Sequence, residues 1–250
     1  MKQPPRVVVL HAKDVDKAMK AIFARVPRRS PLDEAIDIFE RLRASPPKQE
    51  RSLHTLNRLL DAAEKVLEED GLEAATVPAI AKRAGVSVGV VYRRFPNKDA
   101  LIRGVYERFL WRIREQNTLM LTTLSRTHLT FPDLLRGLIR GSVEGHRRKR
   151  NLLRAIYQFA RTHDESEMKR EAAETNRASV AAVTALMLTH RDKIKHPEPE
   201  EAIAFAVLTL GAVIRAAIVE HDAFGLPEPD DLENELTRMI LAYFGIEERR

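Results

Sequence analysis

Apolar positions in this chain recur every three or four residues almost from end to end, and the strict alternation of a strand is scarce. Between Ser52 and Asp70, the residues Leu56, Leu59, Leu60, Ala63, Val66 and Leu67 share one helical face, and Gly71 supplies a C-terminal cap. Upstream, Ser30-Pro31-Leu32-Asp33 is a helix start, and the helix it opens carries Ile36, Phe39 and Leu42 along one side. That helix stops before "SPPKQ" at 45–49, a Pro-rich linker that sets residues 1–50 apart as an N-terminal extension. Downstream, helical periodicity predicts elements over 101–126, 132–148, 150–161, 167–191, 199–222 and 230–244. The breaks between them are polar or Pro-rich: "LTFPD", "RRKRN", "THDES", "KHPEPE" and "FGLPEPDD". No internal repeat is present. The pattern predicts an all-α protein of about nine or ten helices.

One short segment departs from this rhythm: "TVPAIAKRAGVSVGVVYRRFPNKDAL", Thr76 to Leu101. Thr76 is an N-cap for a helix that turns Ile80, Ala81 and Ala84 inward. Gly85 sits where the chain turns sharply and positive φ is required. Val86 fills the angle, and Ser87 caps a second helix expected over Val88–Phe95, with Val91 and Phe95 one turn apart on its inner side. Gly89, Tyr92 and Arg93 lie on the other side, flanked by Arg94. Helix, tight Gly-containing turn and short helix make a helix-turn-helix, whose second helix enters a major groove.

Charge sharpens this reading. The chain of 250 residues carries a formal charge of +6 and a pI near 9.6. From Lys82 to Arg103 there are six cations (Lys82, Arg83, Arg93, Arg94, Lys98, Arg103) against one acid, Asp99. Such an excess is often only a solvated helical face; on a protruding helix it suits DNA phosphates.

These residues also carry a family resemblance. Thr76, Ile80-Ala81, Ala84-Gly85-Val86-Ser87, Gly89, Tyr92, Phe95 and Lys98-Asp99-Ala100-Leu101 closely resemble the DNA-binding signature of TetR-family transcriptional regulators. With the preceding helix, the resemblance covers about a fifth of the chain. It implies an N-terminal helix-turn-helix domain, here 51–110, and a larger helical ligand-binding and dimerisation domain, here 111–250. It further implies a homodimer on a palindromic double-stranded operator, usually a repressor released by a small effector. By analogy, Thr76 and Ser87 would meet phosphates, and Tyr92 and Lys98 would anchor the DNA backbone. Val88, Gly89, Val90, Arg93 and Arg94 would face base edges, with Arg93 the expected guanine reader. Pro78 departs from relatives, which often place a polar or charged residue there.

In the C-terminal part, 199–222 and 230–244 have the best interface pattern. Ala204, Leu208, Gly211, Ala212 and Arg215, with Leu232, Leu236, Met239 and Ile240, are the expected dimer contacts. The run from Ala202 to Val219 is almost long enough for a membrane span, but Arg215 and its many alanines favour a helix buried on two sides. Trp111, Tyr157, Phe159, Asn176, Thr184 and Met187 are candidate lining for an apolar or amphipathic effector, each competing with an ordinary core role. "GHRRKR" at 145–150 either complements a helix C-terminal dipole or meets an acidic ligand.

The remaining chemistry is excluded or unsupported. There is no cysteine, and the scattered histidines show no metal spacing. No nucleophile elbow, Gly-rich phosphate loop or metal motif is present, so neither enzymatic activity nor a cofactor is expected. A ligand-independent DNA-binding regulator or scaffold is the first alternative, and an enzyme whose pocket His or Glu belongs to no motif is the second. The apolar run Val7–Leu10 is too short for a signal-peptide core, and a cytoplasmic location without a membrane partner is expected. Residues 1–50, with 11 cations and 7 acids, read as a DNA-binding arm, as a helical pair packing on the partner domain, or as sequence upstream of a natural start such as Met19.

Overall fold

The computed structural model describes residues 50–124, 129–162, 166–220 and 231–246. The N-terminal helix with Ile36, Phe39 and Leu42 and the linker at 45–49 lie outside the described residues. Among those described there is no strand, as the 3.6-residue periodicity requires. In chain order the helices are α1 (Glu50–Glu69), α2 (Gly71–Ala74), α3 (Val77–Ala84), α4 (Val88–Tyr92) and α5 (Lys98–Leu124). They continue as α6 (Phe131–Arg148), α7 (Arg150–Thr162), α8 (Ser166–Leu188), α9 (Pro199–Ile214) and α10 (Leu232–Tyr243). A 3₁₀ turn spans Arg191–Lys193, and α9 runs on into a π-helical turn at Arg215–Val219.

The helices form two compact units, and the division falls within α5 and α8. The first contains α1–α4, α5 up to Glu115, and then Lys149–Ala173 with α7. It is discontinuous in sequence, unlike the linear limits 51–110 and 111–250, because α7 packs on α1 and α2. Its core is the apolar face of α1 (Leu56, Leu59, Leu60, Ala63, Val66, Leu67) against Ile80, Val91, Phe95, Leu101, Ile156 and Phe159. Gly71, at φ 82°, ends α1 in the left-handed region, as a glycine there should. Asn97 caps α5 by accepting the Ala100 N–H at 2.8 Å, a cap that the expected helix start at 101 overlooked.

A polar cluster sits beside this core. Glu64 on α1 accepts hydrogen bonds from Arg108 and Arg112 of α5 and from Lys149, each at 2.8 Å. Asp61 accepts a further bond from Arg108 at 2.7 Å. Burial alone would push the Glu64 carboxyl up; the Lys149 bond and the charges of Arg112, Arg108 and Lys149 outweigh it and hold the group below its usual value.

The second unit contains Gln116–Arg148 and the chain from Glu174 onward. Thr130 caps α6: its hydroxyl accepts the Asp133 N–H at 3.3 Å and donates to the Asp133 carboxylate at 2.6 Å. The apolar face of α6, Phe131 to Val143, packs against α9, the π-turn and α10. Phe131 and Phe244 approach at 5.8 Å between ring centroids, and Glu233 pairs with Arg140 and Arg147 at 3.5 and 3.3 Å. Arg147, from the basic run after Gly145, is thus engaged by an acid of α10.

The most apolar 18 residues within Pro199–Val219 have a mean hydropathy of 2.3, so length and composition alone would fit a membrane span. The sequence predicts one side in the core and the other in an interface; among the described residues the first side is covered and the second is open. Ala202, Ile203, Ala206, Ile214 and Ile218 point into the core, while Phe205 and Leu208 are 57% and 61% exposed.

Candidate nucleic-acid interface

The site begins with how α3 starts and stops. The Thr76 hydroxyl accepts the Ala79 N–H at 3.3 Å, and Pro78 occupies the first turn, where its missing N–H costs nothing. At the other end Gly85 adopts φ 63°, ψ 41°. Its N–H bonds to Lys82 O at 3.1 Å and the Val86 N–H bonds to Ala81 O at 3.0 Å, the paired pattern of a Schellman stop. Two residues later α4 begins.

As a helix, α4 is shorter than expected: five residues, Val88–Tyr92, followed by a turn, where Val88–Phe95 was predicted. The reason is visible in its ends. Pro96 follows Phe95 and disfavours helical geometry there. Ser87 holds the N-cap position, yet its hydroxyl makes no capping bond. A helix this short has little stability of its own. Val91 and Phe95, both fully buried, fasten its inner side to α1 and α3.

The outer side is free of the core. Val88, Gly89, Tyr92 and Arg93 are exposed, with Tyr92 at 52%, and Val90 and Arg94 are half-buried. Tyr92 therefore has no core role. Gly89 has ordinary backbone geometry, and a Cβ added there would meet only the Ser87 hydroxyl, at 3.9 Å. Nothing within the described chain requires a glycine at that position. Burial and then the adjacent Arg93 charge push the Arg94 guanidinium below its usual value. Two cations side by side lose that repulsion when an anion arrives.

Other members of the basic run are engaged inside the protein. Arg83 pairs with Glu69, and lies 4.0 Å from Asp70. Lys98 donates to Leu72 O at 2.9 Å, tying the start of α5 to α2. The expected backbone anchor thus has a structural duty, and Lys98→Ala would loosen that tie as well as any DNA contact. Lys82 and Arg93 are exposed, with no ion-pair partner among the described residues.

The helix-turn-helix segment, residues 59–105, matches the family model described as bacterial regulatory proteins, tetR family; residues 130–244 match the tetracyclin repressor-like C-terminal domain. The chain belongs to the TetR family of transcriptional regulators. The HTH-type transcriptional regulator UidR of Escherichia coli is 38% identical over 65 residues, 24% of this chain and 33% of that protein. The match therefore spans a third of that relative's length. A Mesorhizobium loti protein assigned to the TetR family shares the fold at a TM-score of 0.59, with 21% identity over 79% of this chain and 96% of that one. FadR from Bacillus subtilis, solved with stearoyl-CoA, does so at 0.57, with 17% identity over 75% of this chain and 98% of that one.

The remaining predicted positions divide between the two units. Leu232, Leu236 and Ile240, expected at a dimer contact, are buried against the chain's own core instead. Of that set Leu208, Gly211, Ala212, Arg215 and Met239 are exposed, Ala204 is half-buried, and Phe205 and Tyr243 join them on the surface, their rings 5.8 Å apart. Phe205 is the more exposed of these two rings, and the small-residue pattern of α9 does not single it out in sequence. Among the effector candidates, Trp111, Tyr157 and Phe159 fall in the unit of the helix-turn-helix, where Phe159 is fully buried core. Asn176, Thr184 and Met187 fall in the other unit; Asn176 is exposed and the latter two are buried. The Thr184 hydroxyl has no hydrogen-bond partner among the described residues.

Proposed function

We propose that this TetR-family regulator is a homodimeric repressor of a palindromic operator, acting in the cytoplasm and released by a small apolar or amphipathic ligand. The observation that carries the DNA reading is α4 itself: its inner side is held by Val91 and Phe95, and its outer side offers Gly89, Tyr92 and Arg93 to solvent. Arg93 reads guanine through O6 and N7, and Val88 and Val90 supply apolar contacts. Glycine at 89 lets the helix backbone come close to the groove floor. Thr76, Ser87 and Tyr92 contact phosphates, with Lys98 and Arg94 adding charge.

Dimerisation is supported by the uncovered apolar face of α9 and α10, where Phe205, Leu208, Met239 and Tyr243 lie open. Two such faces across a two-fold axis would form a four-helix bundle. For the effector, the buried Thr184 hydroxyl, without a hydrogen-bond partner among the described residues and three residues before buried Met187 on α8, offers one polar contact. FadR supplies an amphipathic probe to try, stearoyl-CoA. Titration of labelled duplex enriched by the protein from a random pool, with and without stearoyl-CoA, tests the whole reading. Binding of the enriched duplex over a scrambled one supports the repressor, and loss of binding on adding the probe supports the ligand class. Equal affinity for both duplexes contradicts it.

A further inference from the structure

Helix α3 ends with carbonyl groups that helical bonding leaves unserved. The Schellman stop serves two of them, Ala81 O and Lys82 O. The last of them, Ala84 O, is served from outside. The Arg58 guanidinium, projecting from α1, donates through Nη2 to Ala84 O and also to Gly85 O, at 3.3 Å. A cation that bonds the last carbonyls of a helix also meets the negative end of its dipole. The bond carries a charge, which makes it stronger than a neutral one.

Its position matters more than its strength. Gly85 lies three residues before Val88, the first residue of α4. The usual device at the entry of such a helix is missing, since Ser87 makes no side-chain cap. Five helical residues cannot set their own direction. Val91 and Phe95 fasten the far half of the segment, and Val86 is only partly buried. The turn that leads into the near half, where half-buried Val86 packs on the core, is tied to α1 through Arg58. We infer that Arg58 is a positioning residue for DNA recognition: it locks the α3–α4 turn to α1 and so fixes the angle at which Arg93 and Gly89 are presented. The inference rests on the proposed DNA reading of α4.

A competing role exists for the same side chain. Arg58 is exposed and shares a shallow groove with Lys65 and Lys82, so it is also placed to meet a phosphate directly. The two roles differ in what they do to binding. A phosphate contact adds affinity for every sequence and one unit of counterion release; a positioning residue adds affinity only where the base contacts register.

The test uses the full chain and its Arg58→Ala and Arg58→Met variants, the second keeping the apolar stem without donors. Each is titrated, across a potassium chloride series, against the duplex enriched by the wild type from a random pool and against a scrambled duplex. Far-ultraviolet circular dichroism and melting report the fold; if the Ala variant does not fold, the Met variant carries the test. The expected result is at least about a tenfold loss of preference for the enriched duplex, with scrambled binding and the salt slope unchanged. Arg58→Lys, which can still reach a carbonyl, should recover part of that preference. An unchanged preference in a folded variant overturns the inference. So does an equal loss on both duplexes with a slope smaller by about 0.9, the mark of a lost phosphate contact. If the wild type enriches no duplex, it is the DNA reading of α4 that fails.

Discussion

Arg108 reaches Glu64 at 2.8 Å with 5% and 11% of the two side chains exposed, so this ion pair is almost out of water. Removing one partner of such a pair strands the other. Glu64→Ala should cost about 3–5 kcal/mol in denaturant unfolding, more than any exposed pair of the same chain. The pH dependence has a definite sign. The Glu64 carboxyl is held below its usual value of 4.5, so its stabilisation is present above that pH and fades as pH falls through the folded value. The stability difference between wild type and Glu64→Gln should therefore shrink on acidification below about pH 4.5. A difference that grows would contradict this assignment.

Two glycines four residues apart invite opposite outcomes. At Gly85 a Cβ would stand 2.9 Å from Arg58 Nη2 on a backbone at φ 63°. Gly85→Ala should lose about 1–2 kcal/mol of stability, and operator preference with it. At Gly89 a Cβ would make only an ordinary contact with the Ser87 hydroxyl, at 3.9 Å, so Gly89→Ala should fold as well as wild type or better by up to about 1 kcal/mol. Its DNA affinity should nevertheless fall. Normal stability and normal DNA binding together would deprive Gly89 of its assigned role.

Thr184 is the next case. A buried hydroxyl without a partner is a cost that an isosteric methyl avoids. Thr184→Val should leave stability unchanged or raise it by about 1 kcal/mol, and should weaken any stabilisation by effector. Thermal unfolding with and without stearoyl-CoA measures both; a variant less stable by about 1 kcal/mol or more would mean that the hydroxyl is already satisfied.

The open face of α9 should be covered by a second copy. Replacing Phe205 and Leu208 together by glutamate places two charges on it without touching the core residues Ala202, Ile203 and Ala206. Sedimentation should show a folded monomer where the wild type is a dimer, and operator affinity should drop because half-sites are then read singly. A wild type that sediments as a monomer at micromolar concentration would remove the dimer from the account.

Much of this architecture could be read from residue types. The Thr76 cap, the left-handed Gly85 and the inward Val91 and Phe95 are local consequences of sequence, and each is present. Long periodic helices were equally legible, because an apolar stripe at 3.6-residue spacing has few other homes. Tertiary choice is not written in local pattern. Leu232, Leu236 and Ile240 form a stripe suited to a partner or to the chain's own core, and periodicity does not distinguish the two. Lys98 looked like a free cation because nothing in its neighbourhood announces Leu72 O, 26 residues away, as its acceptor. Arg58 was hidden for the same reason, since its targets Ala84 and Gly85 are brought to it only by the packing of α3 on α1.

Everything functional depends on α4 facing DNA with Arg93 over a base. The direct measurement is selection of bound duplexes from a random pool by the wild-type chain and by Arg93→Ala. The account predicts an enriched inverted repeat for the wild type and, for the variant, relaxed preference at one position in each half-site, worth about 1–3 kcal/mol. Enrichment of the same motif with the same base preferences by both proteins would contradict it.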